Sequence, residues 1–343
     1  MTAEPSRHGE PAGDSRGSRV VAAALAELRR GRAVFLADGG HGGHLVAAAR
    51  KVTRDTAALM SRRTTGMLCV GLSPERADEL GVLAPAATAS VDVKTGTTSG
   101  MSLADRVRTM RALGDPALGS QDFARPGHVF LLRTHAGGVL RRAGFAEGAV
   151  DLCRLAGVGP AAALAEVTGP GGGVATVGLG DIAGHRLAVE QLVRREAAAR
   201  IPTEHGEFTA IGYRSLLDGA EHVALVLGDV YQSAQPIPTR VHVECLIGDV
   251  FGAGRCDCGR RLRQAMLAIG AAGRGVVVYL RAGEGPATGL RTRPRLKELW
   301  GNLVEDGLSG QILRDLGVRR IQPLTADSPG PTRIPRTPER AAR

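Results

Sequence analysis

Short apolar runs alternate with amphipathic stretches along most of the 343-residue chain. VVAAALAELRRGR (20–32) repeats apolar positions at helical spacing and predicts a helix ended by Gly31. AVFLA (33–37), GMLCVGL (66–72) and HVFLLR (128–133) are apolar runs of strand length. Between them SPERADELGV (73–82), LADRVRTMRAL (103–113) and AEGAVDLCRLAG (146–157) predict helices, and LAVEQLVRREAAAR (187–200) predicts an amphipathic one with its charges on one side. TGPGGGVATVGLGD (168–181) predicts a glycine-rich loop.

Past Arg200 the pattern changes. FTAIGYRS (208–215), HVALVLGDV (222–230) and TRVHVECLIG (239–248) predict strands. GRRLRQAMLAIGAAGRG (259–275) predicts a helix leading into the strand VVVYL (276–280), and GQILRDLGV (310–318) with RIQPLT (320–325) a last helix and strand. Strands mixed with helices in both halves indicate an α/β (α+β) chain of two domains. The expected division is a polar tail over 1–18, one domain over 19–198, a second over 199–330 and a tail over 331–343.

The chain has 43 % hydrophobic and 23 % charged residues, so a sizeable core is expected and wholesale disorder is excluded. Aromatics are 3 %, which argues against a stacking platform for single-stranded nucleic acid. The net charge is +10, and lysine occurs only at 51, 94 and 297, so nearly all the cations are arginine. That fits phosphate groups or a compositional bias; no nucleic-acid motif accompanies the charge. No apolar run is long enough to span a membrane and the N-terminus lacks a signal-peptide core, so a cytoplasmic location is expected.

Five cysteines suit metal binding or buried packing better than disulfides in a reducing compartment. Cys245, Cys256 and Cys258 have the spacing C-x10-C-x-C. Three thiolates there can share a tetrahedral zinc with water in the fourth place, an arrangement typical of catalytic sites. The alternative is a buried strand cysteine beside a chance C-D-C pair.

RVHVECLIGD (240–249) followed by GRCDCGRRL (254–262) resembles GTP cyclohydrolase II, whose motif runs R-V-H-S-E-C-L-T-G-D and then R-C-D-C-G. PTEHGEF (202–208), HVALVLGDV and GQILRDLGVRRIQPLT agree with other segments of that family. The resemblance implies Cys245, Cys256 and Cys258 as zinc ligands, and Arg240, His242 and Glu244 facing GTP. It implies opening of the guanine imidazole ring with release of formate and pyrophosphate, the entry to riboflavin synthesis. Glu284 and Thr325 match further substrate positions, but Pro286 replaces an arginine and Arg261 a glutamine. The Asp-x-Arg pair that supplies acid/base and nucleophile has no counterpart; the nearest stretch is Leu303-Val304-Glu305-Asp306. TADSPGP (325–331) lacks the family's phosphate lysine.

RPGHVFLLRTHAGGVLRRAGFAEGAVDLCRLAG (125–157) and TSGMSLADR (98–106) resemble 3,4-dihydroxy-2-butanone-4-phosphate synthase, which converts ribulose 5-phosphate to a four-carbon phosphate and formate using magnesium. The two families are often fused in this order, and the synthase family is usually homodimeric. The resemblance assigns His128 and Glu166 to catalysis, and Asp105, Arg142 and Glu147 to the substrate; Glu166 follows Arg142 by the family's 24 residues. The acidic loop is different. Its magnesium-binding Glu aligns with Gly42, its second Glu with His44, and the His of G-H-T-E-A with Phe145. Magnesium needs oxygen ligands, which glycine and phenylalanine side chains do not supply. His41 and His44 could offer imidazoles to a softer metal, but no third ligand is evident, and a degenerate loop is the preferred reading. The chain thus reads as a bifunctional riboflavin-biosynthesis homologue with ordinary activity in doubt in both halves. The alternatives are a divergent enzyme acting on a purine nucleotide or sugar phosphate, and a non-catalytic regulator of an active paralogue.

Overall fold

The structure, a computed structural model, describes residues 13–37, 42–64, 67–82, 89–254, 256–281, 295–324 and 332–333. His41, Glu284, Pro286 and Thr325, together with the outer parts of both expected tails, lie outside the described residues. The chain divides into two compact units, Met1–Arg186 and Leu187–Arg343.

In the first unit, helix α1 (Gly13–Arg29) leads into strands β1 (Val34–Ala37) and β2 (Gly42–Ala48). Then come helix α2 (Arg54–Arg63), strand β3 (Leu68–Leu72), helix α3 (Pro74–Glu79) and strand β4 (Ser90–Val93). Helix α4 (Leu103–Leu113), strand β5 (Phe123–Arg133), helix α5 (Phe145–Leu155), strands β6 (Ala161–Thr168) and β7 (Thr176–Gly178) and helix α6 (Leu179–Val189) complete it. Thr53, Ser73 and Ser102 cap α2, α3 and α4 through their side-chain oxygens, and Pro74 opens α3 where its missing N–H costs nothing.

The strands form one seven-stranded mixed sheet in the order β4-β5-β3-β6-β2-β1-β7. Alternation sends Leu45, Val70, Val129 and Ala165 to one face, where they pack with Met60 of α2 and Met110 of α4. The opposite face carries α5; Gly71 leaves space there for Val150 of that helix.

The second unit contains β8 (Val193–Thr203), β9 (Gly206–Ser215), β10 (Glu221–Leu227), β11 (Ile237–Val243), the short helix α7 (Leu246–Asp249), α8 (Cys258–Ala272), β12 (Gly275–Leu280), α9 (Arg295–Asp315), β13 (Arg320–Pro323) and β14 (Thr332–Arg333). Its seven-stranded sheet has the order β14-β13-β11-β12-β10-β9-β8. Helix α8 covers one face: its buried Ile269 packs with Phe208 and Val277.

Four sequence expectations change. The amphipathic helix over 187–200 is instead the end of α6 and the edge strand β8, paired with β9 from Val193↔Ser215 to Thr203↔Gly206 around a bulge. Arg194 to Pro202 are exposed, so no buried stripe holds a helix there. Backbone pairing overrides the helix preference of Arg, Glu and Ala. The two compact units part after Arg186, inside α6. Residues 13–18 of the expected tail belong to α1, held where Ser18 Oγ meets His185 Nδ1 of α6 at 3.2 Å. The loop over 168–181 contains β7, recruited by parallel pairing with β1, and Thr332–Arg333 of the expected C-terminal tail pair with β13. Among the described residues no helix is long and apolar enough to cross a membrane.

Candidate functional site

In the second unit, β11 ends at Val243 and the chain turns through Glu244 into Cys245, which precedes α7; Cys258 opens α8. The turn brings Cys245 back against Cys256 and Cys258. All three Sγ atoms lie within 4.8 Å of one another, and those of Cys245 and Cys256 are 3.8 Å apart. A tetrahedral ion with Zn–S bonds of about 2.3 Å has S···S edges of about 3.8 Å, so these thiols fit zinc. Gly248 makes the cradle: a Cβ there would fall 2.5 Å from Cys256 Sγ and 3.2 Å from Cys245 Sγ. Burial and the two neighbouring thiols push Cys258 up to about 12, a burden that a cation would relieve. Cys256 is exposed, beside an open cleft of about 540 Å³ lined by Gly252, Asp257, Arg260 and Arg263 among others.

Arg240, His242 and Glu244 alternate along one face of β11 and its continuation. Burial, then the charge of Arg261, holds Arg240 below the usual guanidinium range; its Nη1 donates to the Leu324 carbonyl at 3.2 Å, and its buried Nε has no hydrogen-bond partner among the described residues. Glu244 is half-buried with Arg281 Nε 3.6 Å away. His242, 2 % exposed, places Nε2 2.9 Å from each oxygen of Asp249 and stacks on Tyr279 at 5.3 Å. Sequence reading missed both Asp249 and Tyr279. The signal for Asp249 was its place at the end of the quoted C-L-I-G-D run; Tyr279 is fixed only by its register opposite His242.

In the first unit, strand register places His44, Cys69, Glu166 and His128 on the face opposite the α2/α4 core. His44 is paired with Glu166 across β2 and β6, Cys69 with Leu164, and Cys69 with Phe130. His128 Nδ1 meets Asp92 Oδ2 at 2.7 Å, and the His128 N–H donates to Asp92 Oδ1 at 3.1 Å. Gly100, at φ +79°, closes the loop over this pair; a Cβ there would fall 2.7 Å from His128 Nδ1. Glu166 is exposed, and burial followed by the Glu166 charge raises the Cys69 thiol. Asp105 is buried at α4 and spent on its own loop: it accepts the Thr98 hydroxyl at 2.8 Å, which holds it below the usual carboxylate range. Glu147 is buried and accepts from Arg142 Nε at 2.7 Å and the His135 N–H at 3.0 Å. Arg142 and Glu147 are therefore brought to each other, and Asp92 and Cys69 join the predicted groups.

Residues 22–199 match the family profile described as 3,4-dihydroxy-2-butanone 4-phosphate synthase, and residues 194–334 match GTP cyclohydrolase II. The riboflavin biosynthesis protein RibBA of Mycobacterium marinum is 40 % identical over 354 residues, covering 89 % of this chain and 83 % of its own. RibBA of Rhodococcus jostii is also 40 % identical, with coverages of 88 % and 84 %. This chain belongs to the bifunctional riboflavin-biosynthesis family. The two-unit fold also resembles a crystal structure described as RibBX, a two domain 3,4-dihydroxy-2-butanone 4-phosphate synthase from A. baumannii, with TM-score 0.71 and 28 % identity over 91 % of this chain and 94 % of that one.

The first unit is thus the synthase unit and the second the cyclohydrolase unit. The family is metal-dependent, and the two units meet that requirement differently. The cyclohydrolase unit presents three sulfur donors at zinc spacing. In the synthase unit the positions aligned with magnesium ligands do not fit the ion. Gly42 brings no side-chain donor, and the rings of His44 and Phe145 stack on each other at 4.3 Å with 28° between their planes.

Proposed function

We propose that the chain serves riboflavin biosynthesis through its cyclohydrolase unit, with zinc held by Cys245, Cys256 and Cys258 and GTP as the substrate whose imidazole ring is opened. The convergence of three thiols from two chain segments around a glycine cradle carries this reading. Bound zinc supplies a water that is a usable nucleophile near neutral pH. Arg240 stays cationic despite its lowered pKa and offers charge to the nucleotide from the β11 face. His242 and Glu244 present a ring and a carboxylate on the same face, and Glu284 and Thr325 complete the proposed substrate set.

In the synthase unit the reading assigns His128 and Glu166 to sugar-phosphate chemistry and Asp105, Arg142 and Glu147 to the substrate. Asp92 orients His128, and the Arg142–Glu147 pair must open, at least in part, before either side chain reaches a ligand.

The purified protein should contain zinc near one ion per chain, and should release formate and pyrophosphate on incubation with GTP. Zinc near zero with three reduced thiols overturns the reading. A second reading, a regulator that binds the nucleotide without turnover, is favoured by one observation: Leu303-Val304-Glu305-Asp306 lies inside the 21-residue helix α9, with no Asp-x-Arg pair. Zinc and GTP binding without formate would select it.

A further inference from the structure

We infer that Asp249 is the positioning residue of the cyclohydrolase site, fixing the zinc ligand Cys245 and the tautomer of His242 with one carboxylate. The inference rests on the zinc reading for its first half and on geometry alone for its second.

The Asp249 side chain is 6 % exposed, and among the described residues the Cys245 N–H, the Tyr279 hydroxyl and the His242 ring converge on its two oxygens. Oδ2 accepts the Cys245 N–H at 2.9 Å and the Tyr279 hydroxyl at 2.8 Å. Both oxygens lie 2.9 Å from His242 Nε2. In return the Asp249 N–H donates to the Cys245 carbonyl at 2.7 Å. The four-residue step from Cys245 to Asp249 is therefore tied at both ends, and Cys245 has little freedom to turn its sulfur away from Cys256.

The same carboxylate decides which nitrogen of His242 carries the proton. An ionised Asp249 only accepts, so Nε2 must donate. The Cys245 N–H can only donate to Oδ2, and the Tyr279 hydroxyl reaches the same oxygen, an arrangement that an acceptor-only carboxylate satisfies. Nδ1 is buried and has no hydrogen-bond partner among the described residues. With Nε2 turned to Asp249, a lone pair on Nδ1 leaves no buried N–H without an acceptor. His242 thus keeps a lone pair on Nδ1, and the group that it suits is a hydrogen-bond donor on a ligand, such as an N–H or amino group of a purine. Tyr279, stacked on the ring and bonded to the same carboxylate, keeps the imidazole from rotating out of this arrangement.

The test uses the full-length chain and the variants Asp249→Asn and Tyr279→Phe, each checked for native circular dichroism. Zinc affinity, read by competition with a chromophoric chelator, should fall on the order of 10- to 100-fold in Asp249→Asn, as for other groups that orient metal ligands. Tyr279→Phe leaves the Cys245 bond intact and should lose less than Asp249→Asn. Independently, 15N–1H correlation spectra of the metal-free protein should show His242 as the Nε2–H tautomer, and Asp249→Asn should weaken that preference. Unchanged zinc affinity in a folded Asp249→Asn overturns the inference while leaving the zinc reading intact. An Nδ1–H tautomer in the metal-free wild type overturns it too. Absence of zinc from the wild type overturns the functional reading, and the tautomer measurement still decides the His242 half. Should Asp249→Asn not fold, the Tyr279→Phe affinity and the wild-type tautomer decide.

Discussion

Phe145 stands where the family's metal-binding histidine aligns, and its ring stacks on that of His44. That pairing, with no side-chain donor at Gly42, gives a clear expectation. The wild-type synthase unit should show no Mn²⁺ binding by electron paramagnetic resonance, with Cys256→Ser present to silence the thiol site. The triple change Gly42→Glu, His44→Glu, Phe145→His should create binding tighter by on the order of tenfold or more, because it restores hard donors. Equal Mn²⁺ affinity in both proteins would sink the assignment.

His222 gives a second residue-level prediction. It is 2 % exposed, and its Nδ1 accepts the Arg281 N–H at 3.1 Å. Burial, its largest cause, holds the imidazole below its ordinary value of 6.5. The folded state therefore binds the proton less readily than the unfolded chain. The stability that this group contributes is full above about 6.5 and shrinks as pH falls below that value. Urea midpoints should drop between pH 7 and pH 5, and His222→Gln should flatten that part of the profile. An identical slope in the variant would show that other groups carry it.

At the scale of elements, the turn from β11 through α7 to α8 is decisive, because it brings distant cysteines together. Gly248 is its narrowest point. Gly248→Ala should weaken zinc binding by at least tenfold, since the new methyl must displace Cys256 or Cys258. Chelator competition checks this, and wild-type affinity in the variant would mean that the turn can relax.

Elements also show what could be read from the chain alone. β1, β3 and β12 were legible because each is an apolar run of strand length. The C-x10-C-x-C spacing likewise foretold a cluster. β8 was not legible, because its sequence favours a helix locally and only pairing with β9 decides otherwise. A ladder of Arg214 and Arg194 on Glu196 reinforces that pairing and holds Glu196 at about 2. The His44–Phe145 stack and the Asp249 hub depend on register and on turns, which spacing along the chain does not encode. Glu147 matched a substrate position, yet its burial against Arg142 is a property of three dimensions only.

Among the described residues, two sheets of seven strands each carry their own core, and the metal-competent cluster belongs to one of the two units. Metal binding stabilises the state that binds. Chelation should therefore lower the unfolding temperature of the cyclohydrolase unit and leave the synthase unit's transition in place. Calorimetry with and without a zinc chelator checks this; a joint shift of both transitions would show that the units unfold as one.

The 3.8 Å separation of Cys245 and Cys256 has a consequence for the metal-free protein. A disulfide needs sulfurs at about 2.05 Å, so a small movement joins the pair once no cation keeps the thiols apart. Oxygen or peroxide takes up the two electrons and two protons that the thiols lose, and two of the three proposed ligands vanish together. Apoprotein left in air should lose two titratable thiols along with its capacity to be remetallated, and a thiol reductant should return both. In a cell, the same chemistry would make zinc loss under oxidative stress persist until the bond is reduced.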